Sequence, residues 1–186
     1  MWPYQGNIRV AGKAHRADSQ AAVARHGGSE QPDVTALFDD FRDLLVELHH
    51  AGADFVVLGG YAVSFYGHPR ATKDLDVFVR PDPVNASRVI AALRQFGAPL
   101  SQLGISESDF ATAGTVVQLG VPPVRIDLIT EASGITFAEA MQDHGVLEID
   151  GTRIPVIGRE ALLRNKRAAA RPQDIADVDA LSRSAG

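Results

Sequence analysis

No cysteine occurs among the 186 residues, which excludes a disulfide framework and any thiolate metal site. No apolar run approaches the ~20 residues needed to span a bilayer, and Met1-Trp2-Pro3-Tyr4-Gln5-Gly6-Asn7 lacks the apolar stretch of a secretion signal. A cytoplasmic protein without membrane contact is the expectation. Coiled-coil heptads and internal repeats are also missing, so nothing in the sequence sets an oligomeric state. Positive charge is scarce in the middle. Residues 29–158 carry eight Lys/Arg against eighteen Asp/Glu, whereas residues 1–28 carry four against one and residues 159–186 six against four. Such an acidic centre repels a long polynucleotide unless the basic ends reach it, and it supplies the field that a cation site needs. With 45% hydrophobic and 22% charged residues, the chain can bury a sizeable core as one domain.

Three aspartates stand inside apolar runs: Asp74 and Asp76 in Asp74-Leu75-Asp76-Val77-Phe78-Val79, and Asp127 in Val124-Arg125-Ile126-Asp127-Leu128-Ile129. A strand alternates faces with period two, so Asp74 and Asp76 share one face while Leu75 and Val77 enter the core. An exposed strand face would explain the pair alone. A third carboxylate beside them requires a counter-charge, because two unit charges ~4 Å apart repel by roughly 4 kcal/mol at an effective dielectric of ~20. All-oxygen chemistry of this kind suits Mg²⁺ or Mn²⁺. Upstream, Phe55-Val56-Val57-Leu58 runs into Gly59-Gly60 and then Tyr61 to Gly67, a strand, a turn and a short helix. Glycines there let backbone N–H groups approach an anion at the positive end of the helix. Arg70 either braces its loop by pairing with Asp74 or a carbonyl, or meets phosphate.

Periodicity sets out the remaining elements. Residues 1 to about 30, polar and without sustained pattern, read as a flexible arm. A helix is predicted from Asp33, its cap, to His50, with Leu37, Phe41, Leu44, Leu45 and Leu48 inward and Gly52 ending it. Strands follow at 55–58 and 75–79, with a helix at 60–66 between them. The next helix, 83–96, turns Val84, Val89, Ala92, Leu93 and Phe96 to the sheet. Residues 97–113 form a loop with a helical turn near Ser106 to Phe110. Two hairpins come next, 115–119 with 124–129 and 146–149 with 152–156, the second turning at Asp150-Gly151 and preceded by a brief helix at 138–143. Helices at about 159–170 and 172–183 close the chain, separated at Arg171-Pro172. His49 and His50 end a helix and complement its dipole, and His68 lies in the loop before the aspartate strand. Arg159, Arg164, Lys166, Arg167 and Arg171 form a basic stretch suited to a triphosphate or the end of an RNA strand, with a solvated helix face as its ordinary role.

Gly59-Gly60-Tyr61-Ala62, Arg70-Ala71-Thr72-Lys73-Asp74-Leu75-Asp76, Ile126-Asp127-Leu128, Lys166 and Arg171-Pro172-Gln173-Asp174-Ile175-Ala176-Asp177 together resemble the nucleotidyltransferase superfamily, which shares its fold with DNA polymerase beta. The resemblance covers about Asp33 to Arg183 and is closest in kind to minimal, AbiEii-type bacterial members, many of them toxins of toxin–antitoxin pairs. It implies an α+β fold, a twisted mixed sheet flanked by helices, occupying residues 31–186 with a C-terminal helical pair. It also implies two Mg²⁺ (or Mn²⁺) ions held by Asp74, Asp76 and Asp127, and a triphosphate contacted by Gly59, Gly60 and Lys166, with Arg70 and Thr72 beside it. Asp174 and Asp177 are further candidates, although Asp174 also fits a helix-capping role. Much of the superfamily has Gly-Ser where this chain has Gly59-Gly60, so a serine contact to phosphate is missing.

The activity this implies is transfer of a nucleoside monophosphate from an NTP to an acceptor hydroxyl, with pyrophosphate released. A tRNA 3′ end is one acceptor among AbiEii-like relatives, with a cognate antitoxin as partner. A small-molecule adenylyltransferase of the antibiotic-modifying kind, or one acting on protein, would carry the same motifs. A two-metal nuclease also needs three carboxylates, but the glycine pair argues against it. A non-catalytic partner protein has little reason to keep all three aspartates, Lys166 and both glycines.

Overall fold

The computed structural model describes residues 7–10, as backbone, together with 38–121 and 124–183. Helix α1 (Asp39–His50) buries Phe41, Leu44, Leu45 and Leu48 and ends at Gly52, whose φ of +65° suits the left-handed position after a helix. Its first helical residue follows Phe38, not the predicted cap Asp33; Asp33 and Leu37 lie outside the described residues. Strand β2 (Phe55–Leu58) passes directly into α2 (Gly59–Phe65), and β3 (Asp74–Val79) follows. Helix α3 (Pro83–Phe96) starts where Asp82 accepts the Asn85 backbone N–H at 2.8 Å and stops at left-handed Gly97. Two short helices, α4 (Leu100–Leu103) and α5 (Ser108–Ala111), occupy the segment read as a loop with a single turn.

The two hairpins form as predicted. β4 (Thr115–Val121) pairs antiparallel with β5 (Val124–Ile129). After α6 (Phe137–Met141), β6 (Gly145–Ile149) pairs antiparallel with β7 (Thr152–Val156). Asp150 and Gly151 both take positive φ at that turn, +49° and +76°, as a two-residue hairpin demands. Helices α7 (Arg159–Ala169) and α8 (Pro172–Arg183) pack together as the C-terminal pair.

One difference concerns the N-terminal arm. Asn7–Val10 forms a strand, β1, parallel to β4 at the sheet edge; the rest of residues 1–30 lies outside the described part. Among the described residues the sheet has seven strands in the order β1-β4-β5-β3-β2-β7-β6. It is mixed: β3 is parallel to β5 and antiparallel to β2, and β2 is parallel to β7. Leu75, Val77, Ile126 and Leu128 fill one face and are nearly inaccessible. Helices α1, α3 and α5 form a connected layer that reaches the sheet at β7 and β4. A second correction falls in α3, where Val84 is 61% exposed rather than packed, while Asn85 is fully buried. Asn85 bonds the Asp54 N–H at 2.7 Å and the Asp54 and Arg80 carbonyls at 2.9 Å each, so this first turn is held by polar groups that would otherwise be stranded.

Candidate active site

The parallel pairing of β3 and β5 sets Asp74 opposite Arg125 and Asp76 opposite Asp127. Register partners on adjacent strands project to the same side, and residues two apart on one strand do too. Asp74, Asp76, Arg125 and Asp127 therefore occupy one face, with Phe78 and Ile129 continuing it into apolar ground. Phe78 packs edge-on against Phe137 of α6, ring centroids 5.3 Å apart. The three predicted carboxylates thus come together although Asp127 is remote in sequence from the other two.

Arg125 was not among the predicted site residues, yet it joins two of them. Its Nε donates to Asp127 Oδ1 at 2.8 Å and its Nη2 to Asp74 Oδ2 at 3.2 Å. Asp127 is buried, its side chain 3% exposed, and Asp74 is half exposed. Burial pushes the Asp127 carboxyl up, against the pull of Arg125 and a hydrogen bond from Gln118. Asp76 is driven up to about 7 by burial first and then by the charge of Asp127, with Lys166 and Arg171 opposing the shift. Crowding of like charge in a poorly solvated place raises a carboxyl in this way. The carboxylate face is short of positive charge.

The diglycine turn packs directly on this face. A Cβ at Gly59, where φ is +68°, would lie 1.9 Å from Asp76 Oδ2, and one at Gly60 would meet Thr72 Oγ1 at 2.7 Å. Glycine is thus required at both positions by close approach to the Asp76 carboxylate and the Thr72 hydroxyl. Thr72 donates to the Asp74 carbonyl at 3.2 Å, tying the loop to the start of β3.

On the far side of the cleft stands a second ionic cluster. Lys166 is buried, and its Nζ lies 2.9 Å from Asp174 Oδ1 and 3.0 Å from Asp177 Oδ2. Arg171 also binds Asp174, through Nε at 2.5 Å and Nη2 at 3.1 Å, and the Arg171 backbone N–H donates to Asp174 Oδ2 at 3.2 Å. Asp174 therefore both caps α8 and neutralises Lys166. Arg70 pairs with Asp177, its Nε 3.1 Å from Oδ1, a bracing contact with a partner other than the Asp74 or carbonyl considered from the sequence. Burial alone would push Asp174 and Asp177 up, but hydrogen bonds and charge from their cationic partners, Arg171 and Lys166 for the first, Lys166 and Arg70 for the second, hold both below the usual range.

Between the two clusters runs a cleft lined by Gly59, Asp76, Lys166 and Arg171 together with Val116, Ile129, Glu131, Ser133 and Asn165. Of the predicted residues it brings together Gly59, Asp76 and Lys166. Asp74 and Asp127 share the sheet face of Asp76 outside the cleft lining, Gly60 lies against Thr72 and Arg70, and Asp174 and Asp177 pair with Lys166. Among the described residues no three carboxylate or imidazole groups enclose an ion with their side chains as they stand. The donor set nonetheless fits a divalent cation: three carboxylates on one face, oxygen donors only, and one of them raised to about 7 by burial and by the charge of its neighbour Asp127. Arg125 and Gln118 went unrecognised in the sequence. Arg125 is two residues before Asp127 and shares its face, a signal the period carries, whereas Gln118 meets Asp127 only through strand pairing.

This architecture is the nucleotidyltransferase fold. It resembles the solution structure of the antibiotic-resistance factor ANT(2'')-Ia, with a TM-score of 0.51 at 15% identity over 79% of this chain and 83% of that one. The chain belongs to the family described as nucleotidyl transferase of unknown function (DUF2204), which residues 37–186 match. Weaker likenesses are to a Thermotoga maritima protein described as a nucleotidyltransferase, with 13% identity over 77% of this chain and 88% of that one and a TM-score of 0.47, and to an antigenic nucleotidyltransferase-like protein from Paracoccidioides brasiliensis, with 20% identity over 77% and 74% and a TM-score of 0.45. Among curated proteins none matches this sequence.

Proposed function

We propose that this chain moves a nucleoside monophosphate from an NTP to an acceptor hydroxyl. The acceptor oxygen bonds to the α-phosphorus, the bond from that phosphorus to the β-phosphate bridge breaks, and pyrophosphate departs. The observation that carries this reading is the register pairing of Asp76 with Asp127 on one face with Asp74, against a glycine turn that only an absent side chain permits. Asp74, Asp76 and Asp127 would hold two Mg²⁺ or Mn²⁺ ions, which when bound supply charge neutralisation to the entering and leaving oxygens. Asp127, on the strand beside Asp74 and Asp76, would also help deprotonate the acceptor hydroxyl. Gly59 and Gly60 leave room for the polyphosphate at the turn. Lys166 and Arg171 contribute positive potential across the cleft, Lys166 from a position fixed by Asp174 and Asp177. Phosphoryl-type transfer depends mainly on such positioning and charge, so a small domain with few reactive side chains suffices.

For the acceptor, an RNA 3′ end such as that of tRNA follows from the AbiEii-like motifs, with an antitoxin as partner and a cytoplasmic setting. Among the described residues no helix is long and apolar enough to cross a membrane. A second acceptor class, a cationic small molecule, is favoured by the acidic centre of the chain, which repels polynucleotide. Incubating the protein with each labelled NTP, Mg²⁺ and either total RNA or a small-molecule extract shows which fraction gains label. Asp74→Asn and Asp76→Asn each should lower incorporation by at least about 10³-fold while the chain stays folded. Near-wild-type incorporation by either variant refutes the assignment, and shortening of RNA without incorporation would make the protein a nuclease.

A further inference from the structure

We propose that Arg125 is a built-in counter-ion that occupies the carboxylate face in the free protein and must be displaced for divalent cations to enter. This rests on the nucleotidyltransferase reading above and adds to it a residue with a defined job. The guanidinium spans two strands: Nε reaches Asp127 Oδ1 at 2.8 Å and Nη2 reaches Asp74 Oδ2 at 3.2 Å. One planar fork therefore engages two of the three carboxylates at once, while Asp76 stands outside it. With Arg125 in place the three do not close around an ion, although strand register puts all of them on one face.

Physical necessity explains why a cation belongs here. Three carboxylates on neighbouring strand positions, one of them buried, cannot all stay ionised without a counter-charge. A guanidinium is always protonated, and its rigid planar donors hold two carboxylates in one fixed geometry, whereas an ammonium is a rotatable point charge. Its placement also costs no extra element, because Arg125 is the register partner of Asp74 and lies two residues from Asp127. The same contacts that steady the free protein compete with an entering metal ion. Its occupancy is then linked to release of Arg125.

Direct Mn²⁺ titration of the full chain, by calorimetry or by loss of the free-ion paramagnetic signal, tests this without reference to turnover. Two variants separate the contact from the charge. Arg125→Lys keeps the positive charge but loses the two-way fork, and Arg125→Gln loses both. Displacement predicts that the lysine variant binds Mn²⁺ several-fold more tightly than wild type and the glutamine variant about tenfold or more, the worth of a charge-assisted hydrogen bond. Both should melt at a lower temperature when metal is absent. A merely structural arginine would weaken metal binding when altered. If the lysine variant binds as wild type does, the displacement idea is overturned, even where the glutamine variant binds more tightly, because charge alone would then account for it. Wild type with ATP is the reference. Mn²⁺ uptake there with no change in the lysine variant removes Arg125's role but leaves the nucleotidyltransferase reading intact, whereas no uptake by any form, with or without ATP, removes both.

Discussion

Two clusters of charge face each other across the cleft, and they are built on opposite plans. On the sheet, three carboxylates stand beside one guanidinium, that of Arg125, which pairs with Asp74 and Asp127 and leaves Asp76 outside its fork. At the helical pair, three cations, Lys166, Arg171 and the loop residue Arg70, pair with two carboxylates, Asp174 and Asp177. Aspartates are withdrawn from water in both, yet Asp76 and Asp127 rise in proton affinity whereas Asp174 and Asp177 fall. Burial has the same sign everywhere, so the difference lies in the ratio of cations to carboxylates. The helical cluster is complete and acts as a clasp between α8 and the loop that carries Arg70. The sheet cluster is incomplete, which is why the proposed cations are assigned to it.

Removing a member of the complete cluster should have the largest effect. Lys166→Met removes the buried ammonium between Asp174 and Asp177, leaving them only the more exposed Arg171 and Arg70, and is expected to cost about 3 kcal/mol in chemical denaturation. A cost near zero would mean that the helical clasp is as dispensable as a surface ion pair and would erase the contrast. Next comes the turn that abuts the incomplete cluster. Gly59→Ala combines a left-handed backbone with a Cβ 1.9 Å from Asp76 Oδ2, and should lose about 1–3 kcal/mol together with nucleotidyl transfer. Gly52→Ala is its control, with a similar φ of +65° and nothing within 4 Å, and should show the backbone strain alone with transfer retained. Equal loss of transfer in both would show that the contact with Asp76 is unimportant.

The smallest effect is a matter of pH. With its folded value raised from 3.8 to about 7, Asp76 keeps a proton in the folded protein that the unfolded chain has released between those values. Its contribution to stability therefore declines as pH rises from about 4 to about 7 in metal-free protein. Asp76→Asn should raise the melting temperature at pH 8 by a few degrees, about 2–8 °C, and leave it little changed at pH 4. Asp174 and Asp177, whose values are depressed, act in the reverse sense: their contribution is present above pH 3.8 and is lost as pH falls through their folded values. A melting curve for Asp76→Asn parallel to wild type across pH 4–8 would contradict the uncompensated state of the sheet cluster.

Much of this layout is legible along the chain. β5 spans Val124–Ile129 and α3 spans Pro83–Phe96 as pattern predicts, because alternation, an Asp82 cap and a following glycine are local signals that no distant contact overrides. Val84 and Asn85 show where locality ends. Helical spacing turns Val84 toward the sheet, but the first turn of α3 projects past the core, and stranded backbone groups at Asp54 and Arg80 draw Asn85 inward instead. Lys166 shows it again: a basic stretch reads as solvated, and only the folded helical pair buries one lysine of it against two aspartates. Strand β1 is missed because Asn7-Ile8-Arg9-Val10 takes its order from the exposed edge of β4 rather than from its own pattern.

What this sequence determined by itself was which side chains share a face: period two sets Asp74 beside Asp76, and Arg125 beside Asp127, before any partner strand arrives. What only the tertiary structure decided was how those faces meet, namely the parallel register that aligns residue 76 with 127 and 74 with 125, and the placement of α7 and Arg171 along the cleft. Side-chain alternation is a property of one backbone, whereas register and the pairing of charges depend on segments remote in the chain, and their energy exists only once those segments are in contact.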